Sequence, residues 1–358
     1  MLASSNHMGS IQLLRFVAAA MVVVYHAIVY IGPGSVASFP EALYEYAWIG
    51  ATGVHIFFII SGFIMVLTSW KVFAAEGATR RFITRRFIRI YPIYWIVALL
   101  YVVSGIFGAI SLELDPTSTA FSLLLLPGYG PTIISPGWTL VYEVYFYLVF
   151  AFILLLPRRA ALWTLAIFFV ASVTLGVTTN IDQINALFKH MTNVLLIEFL
   201  AGALLAAWYL SGRMPEQLSN GRHLVSVLAT AILLFMFAPT FEKFGIPDVV
   251  GFGVPSFLLV MVAVASERAA RIRTTIARFA WLGDSSYAVY LVHVLVIQLL
   301  LPLMQPQISG WGGLLVATAL AIAASIVTGL VLHLYIEAPL LIRLRRHMGR
   351  SANATSIP

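Results

Sequence analysis

Arg15 and His26 stand eleven residues apart inside the first apolar run of this 358-residue chain. Eleven steps of about 100° bring the second residue back to within about 20° of the first, so both leave one face of a helix. Along the axis they are roughly 16 Å apart, about half the thickness of a bilayer's hydrocarbon core. An ionisable side chain at that depth costs roughly 2.5 kcal/mol or more, which makes a cation and an imidazole on one stripe a functional signal. Glu143 lies five residues into a later apolar run that opens at Trp138. The direction of that run places it level with His26. A carboxylate and an imidazole at one depth suit general-base chemistry: the carboxylate holds the ring in one tautomer while the other nitrogen takes a proton from a hydroxyl. The plainer alternative is that each is a packing group bonded to a neighbouring Tyr or Trp.

Other polar residues fall at readable depths. His55 and His293 sit near mid-membrane, Glu198 lies close to the level of His26, and His333 and Glu337 lie at the end that holds Arg15. Arg81, Arg85 and Arg89 recur four apart in Thr79-Arg-Arg-Phe-Ile-Thr-Arg-Arg-Phe-Ile-Arg-Ile-Tyr-Pro92 and would share one helix face. Guanidinium groups suit bidentate phosphate binding. The same run also serves as a headgroup anchor. A metal site needs several converging ligands, and no HxxxH or HExxH spacing occurs, so no metal is expected. The chain has no cysteine, which excludes disulfides, thiolate metal sites and an acyl-cysteine intermediate.

These residues must be held by a membrane bundle. The composition is 61% hydrophobic and 10% charged, with a mean hydropathy of +0.96; soluble domains carry about 25% charged residues. Apolar runs near the ~20 residues of a spanning helix fall at 11–31, 46–69, 87–107, 138–156, 161–177, 193–210, 223–238, 251–266, 281–301 and 312–336. Numbered alternately, the loops place Lys189 and Lys243 on one side and Lys71, Arg80, Arg158, Arg213, Arg268, Arg343 and their basic neighbours on the other. The positive-inside rule makes the second side cytoplasmic. The sequence therefore predicts an all-α integral membrane protein of about ten transmembrane helices with both termini cytoplasmic. The net charge of +7 is a topology signal rather than a nucleic-acid footprint. No linker divides the chain, so a single domain over 1–358 is expected. The stretch 108–137, with Asp115-Pro116 and Ser135-Pro136-Gly137, is expected to cover the mouth opposite the arginines as a re-entrant or interfacial segment.

Six stretches in order then resemble the acyltransferase-3 integral membrane proteins, particularly the bacterial exopolysaccharide and O-antigen O-acetyltransferase branch. They are Arg15-Phe-Val-Ala-Ala-Ala-Met-Val-Val-Val-Tyr-His26, Gly53-Val-His-Ile-Phe-Phe-Ile-Ile-Ser-Gly-Phe63, Arg85-Arg86-Phe-Ile-Arg89-Ile-Tyr-Pro92, Gly137-Trp-Thr-Leu-Val-Tyr-Glu143, Leu282-Gly-Asp-Ser-Ser-Tyr-Ala-Val-Tyr-Leu-Val-His293 and Glu337-Ala-Pro339. The resemblance implies transfer of an acetyl or other acyl group from cytoplasmic acyl-CoA to a sugar hydroxyl on an extracytoplasmic or lipid-linked glycan, in a multi-pass protein of the bacterial inner membrane. It implies a catalytic group of His26, Glu143 and Arg15, and donor binding by Arg85, Arg86, Arg89 and Ser61. Trp138, Tyr142, His55 and His293 are the expected substrate-binding residues, with Trp138, Tyr142 or Ser61 as donors to an oxyanion. No counterpart of the SGNH domain fused to some relatives is expected. The expected partners are acetyl-CoA as acyl-donor substrate, the glycan or lipid-linked oligosaccharide acceptor and the lipid bilayer. Oligomeric state, a homo-oligomer included, stays open. So do direct transfer against an acyl-enzyme on His26 or Ser61, and a proton-coupled glycan or lipid transporter as the alternative function.

Overall fold

The fold was obtained as a computed structural model that describes residues 8–32, 41–128, 132–179 and 181–354. Among them there is no strand, and ten segments are long and apolar enough to cross a membrane. These are span 1 (Gly9–Ile31), span 2 (Tyr46–Ser69), span 3 (Ala78–Ile106), span 4 (Ser135–Ile153), span 5 (Arg158–Thr179), span 6 (Ala186–Leu210), span 7 (Gly221–Ala238), span 8 (Val249–Ser266), span 9 (Ala280–Met304) and span 10 (Gly310–Arg346). The ten predicted runs match them one for one.

Hydrogen bonds between span ends show how the spans alternate. The Ser10 amide and hydroxyl both donate to Glu267 at 2.7 Å, joining the start of span 1 to the end of span 8. The Thr79 hydroxyl donates to the Ala151 carbonyl at 3.0 Å, joining the start of span 3 to the end of span 4. Arg268 reaches the Met214 carbonyl at 2.8 Å. These contacts define a basic end of the bundle, from which depths are counted below.

Span 3 is 29 residues long, about 43 Å at helical rise, so its arginine-bearing turns run beyond a ~30 Å hydrocarbon core. The helix of span 4 is the opposite case. Trp138–Ile153 has 16 residues, about 24 Å, and reaches crossing length only with the 3-10 turn Ser135–Gly137 before it. The preceding stretch folds into the bundle to meet it. Asp115 accepts the Ser118 amide at 2.7 Å and caps the helix Pro116–Leu124, with Pro116 in the first turn; that bond holds the Asp115 carboxyl below the usual carboxylate range. At the far end of this short helix the Ser122 carbonyl accepts the capping Leu125 amide at 3.0 Å, and the carbonyls after it lie past the last helical bonds. Tyr94, Trp95 and Tyr91 of span 3 donate to the Ser122, Leu123 and Leu124 carbonyls, each at 2.9 Å. Those three aromatics sit about 17–22 Å from the Ile106 end of span 3, so the segment is re-entrant relative to the bundle.

The interior is sealed by aromatic stacking and close backbone approach. Phe199 stacks on Phe58 at 4.6 Å and on Phe146 at 4.5 Å, linking spans 6, 2 and 4. Spans 2 and 6 meet at two glycines: a Cβ on Gly62 would strike the Phe199 carbonyl, and one on Gly202 the Ile59 carbonyl. Small residues at such crossings let helices pack without a hydrophobic driving force. Gly202→Leu is expected to cost on the order of 3 kcal/mol and to lower the thermal unfolding midpoint in detergent. Gly312→Leu, which meets open space, should leave the midpoint unchanged.

Candidate active site

A cavity of about 120 Å³ opens in the half of the bundle nearer the basic end, lined by Arg15, Ser61, Arg86, Arg89, Glu143 and Tyr147 with Thr139, Tyr287 and Tyr290. Counted along their helices from the basic end, Arg15, Ser61, Glu143 and Arg89 lie about 9, 12, 15 and 16 Å deep. Glu143 Oε1 accepts the Ser61 hydroxyl at 3.0 Å and the Tyr147 hydroxyl. Arg15 donates to the Gln12 side chain at 3.1 Å and lines the cavity together with Glu143 and Arg89. Arg89 donates to Glu337 at 2.7 Å, and Glu337 holds the His333 ring through its second oxygen at 2.8 Å. Glu337 is buried, in a π-helical turn spanning His333–Glu337. Arg86 differs from its neighbours: its guanidinium lies 5.4 Å from the Phe82 and Tyr147 rings, and its Nε is buried with no hydrogen-bond partner. Three guanidiniums and the one carboxyl group of Glu143 thus line one small space, an arrangement that draws an anion.

His26 stands about 25 Å from the basic end. Its Nδ1 lies 2.9 Å from the Val22 carbonyl and 3.1 Å from His293 Nε2. A carbonyl only accepts, so the bond to Val22 places hydrogen on Nδ1 and leaves Nε2 as the basic nitrogen. Tyr290 connects the two levels. It lines the arginine cavity, its ring is 5.8 Å from that of His293, and its hydroxyl pairs with Thr139 at 2.8 Å.

The structure brings Arg15, Ser61, Arg86, Arg89 and Glu143 together, and separately His26 and His293. It corrects the matched depth of His26 and Glu143: the two share no hydrogen bond, because the helix of span 4 starts inside the bundle and carries Glu143 toward the basic end. Arg81, Arg85 and Arg89 follow one another four apart on the continuous helix of span 3, and of these Arg89 lines the cavity. Adjacent helical residues diverge by about 100°; Arg86 turns into the cavity, and Arg85 is exposed, as is Arg81. Trp138 is 43% exposed and Tyr142 packs against His190 and Phe58, so neither lines the cavity as an oxyanion donor. His55 belongs to a third group. Its Nδ1 is 2.5 Å from Glu198, beside the π-helical turn Val249–Gly253. Sequence reasoning passed over Tyr147, Tyr287 and Tyr290 as site residues, although Tyr147 lies one turn after Glu143 and the other two are three apart near His293. Among the described residues no group of three or more His, Asp or Glu is placed to hold a metal ion.

Comparison with known proteins gives the family. Residues 8–330 match the acyltransferase domain family. The chain belongs to the acyltransferase-3 family. It is 29% identical to the exopolysaccharide production protein ExoZ of Rhizobium meliloti over 86% of this chain and 93% of that protein. It is 28% identical to the acyltransferase MdmB of Streptomyces mycarofaciens, over 88% of this chain and 86% of that one. The peptidoglycan O-acetyltransferase OatA of Listeria monocytogenes is 23% identical over 90% of this chain but 55% of its own length. No solved structure matches. In this acyltransferase-3 protein the Arg89–Glu337 bond ties span 3 to span 10, and breaking a buried pair from one side costs about 3 kcal/mol or more. Glu337→Ala should lower stability by that amount in a denaturant titration, and the double change Arg89→Met with Glu337→Met should restore most of it.

Proposed function

We propose that this single-domain protein transfers an acetyl group from acetyl-CoA, entering at the basic end, to a sugar hydroxyl of an extracytoplasmic or lipid-linked glycan, with an exopolysaccharide unit as the first candidate. The observation that carries the reading is the arginine cavity lying one tyrosine below the His26–His293 pair. The positive-inside rule orients the basic end to the cytoplasm, and a bacterial inner membrane supplies both substrates. Arg85, exposed at the entrance, and Arg86, buried with its Nε unsatisfied, are the groups for the donor's phosphates. A cavity of about 120 Å³ is below the ~300–1,000 Å³ of sites that hold whole drug-sized ligands. It suits the narrow acyl-pantetheine end of the donor, with the nucleotide left outside.

In this scheme the glycan hydroxyl attacks the thioester carbonyl while His26 Nε2 takes its proton. The carbon–sulfur bond breaks, and the proton returns to the departing thiolate. His293 and the Val22 carbonyl hold the His26 ring in the tautomer the step needs. Glu143 serves the donor cavity, fixing Ser61 and Tyr147, rather than acting on His26. The family membership and the names of the MdmB and OatA relatives, an acyltransferase and an O-acetyltransferase, support the acyl-transfer reading over a transporter, and the name of ExoZ supports an exopolysaccharide acceptor.

The test is [14C]acetyl-CoA turnover with the full chain in nanodiscs. General-base loss typically costs a factor of about 10²–10⁴, so His26→Ala should lose at least about a hundredfold in turnover while still binding acetyl-CoA. Turnover within threefold of the unsubstituted protein would overturn the assignment. Arg86→Ala should raise the acetyl-CoA KM about tenfold or more with a smaller change in kcat. Stable label on the protein without acceptor would favour an acyl-enzyme.

A further inference from the structure

A second cavity, about 260 Å³, lies at the end of the bundle away from the arginines. Its walls are Tyr101 of span 3, Gln298 of span 9, and Glu113, Ser118, Thr119 and Thr132 of the re-entrant stretch. Polar side chains are costly away from water unless partnered, and here hydroxyl, carboxamide and carboxyl groups of two spans and the re-entrant stretch face one unfilled space. They converge on a concavity whose rim, at Ser111, Glu113 and Ser135, is exposed, while Tyr101 and Ile133 are buried at its back.

The lining selects a ligand class. Hydroxyls and a carboxamide each donate and accept, which matches a molecule carrying many hydroxyl groups. Glu113 is the one charged residue among those lining the space, so an anionic ligand such as a phosphate is disfavoured. The volume is near the lower bound of ~300 Å³ for small-molecule sites, enough for about one sugar ring.

Its position relates it to the transfer site. Gln298 lies five residues beyond His293 on the same helix, about 7.5 Å farther from the arginines. Tyr101 lies 23 residues along the helix of span 3 from Ala78, about 35 Å from the basic end against about 25 Å for His26. The cavity therefore stands beyond the His26–His293 pair, opposite the arginine cavity.

We infer that this cavity is a saccharide subsite that seats one neutral sugar unit of the acceptor, Gln298, Thr132 and Thr119 bonding its hydroxyls. The assignment rests on the acyl-transfer reading above for its role, but the binding itself can be read without the donor. The probe is the repeat-unit oligosaccharide of the producing strain's exopolysaccharide, freed of O-acyl groups by mild base. Its binding to the full chain in nanodiscs is measured by calorimetry, with and without acetyl-CoA. The unsubstituted protein should bind it. Gln298→Ala should weaken binding, and raise the acceptor KM, about tenfold with the acetyl-CoA KM unchanged. Thr119→Trp, which fills the space, should abolish binding, and Thr119→Ser should retain it, with both variants unfolding at the unsubstituted midpoint. No binding to the unsubstituted protein, or equal binding to Gln298→Ala and Thr119→Trp, overturns the subsite. Cavity-dependent binding with no consumption of acetyl-CoA would sustain the subsite and refute the acyl-transfer reading.

Discussion

A charged or polar group inside an apolar bundle has to find its partner within the protein, and that constraint organises this structure. The Arg89–Glu337 bond is the main instance: it places an acid from the last span beside an arginine of the third, with His333 on the acid's second oxygen. Glu143 is held by two hydroxyls, His55 by Glu198, and His26 by a carbonyl and a second imidazole. The His55–Glu198 pair lies beside one π-helical turn and the His333–Glu337 pair within another, a deformation frequent at functional sites. Arg86 Nε is one of a few buried atoms without a partner among the described residues, with Glu198 Oε2 and His293 Nδ1 among the others, and it belongs to a wall of the arginine cavity.

The short helix of span 4 follows from the same constraint. A helix that reaches crossing length only with the turn before it needs that chain to complete the passage, and non-helical backbone at that depth must be covered by protein. Tyr91, Tyr94 and Trp95 provide the cover by donating to the carbonyls at the end of the helix Pro116–Leu124. The re-entrant stretch then does two things. It lowers Glu143 into the arginine cavity, and it supplies polar walls to the cavity at the other end.

Much of this was legible in the residues. The ten spans follow from apolar run length, and their alternation from the segregation of Lys and Arg. The eleven-residue spacing set Arg15 and His26 on one stripe at two levels, and the structure keeps them on those two levels. What sequence could not supply was depth in span 4, because counting from Trp138 assumes that the helix begins at a membrane surface. The partner of His26 was equally hidden, since hydrogen bonding between His26 and His293 depends on how spans 1 and 9 pack. A four-residue repeat of arginines suggested one face, but only the docking of span 3 shows that Arg86 turns inward and Arg85 outward.

The central claim is that the donor's thioester is held between the arginine cavity and His26. The most direct test is a structure of the full chain in nanodiscs with a non-hydrolysable thioether analogue of acetyl-CoA. The account predicts the phosphates beside Arg85 and Arg86, the pantetheine arm passing Ser61 and Tyr290, and the acyl carbon far enough along for a hydroxyl in hydrogen-bond reach of His26 Nε2 to attack it at about 3–3.5 Å. An analogue bound at the opposite end of the bundle, or with its acyl group stopped at the cavity mouth while the protein is turnover-competent, would contradict it.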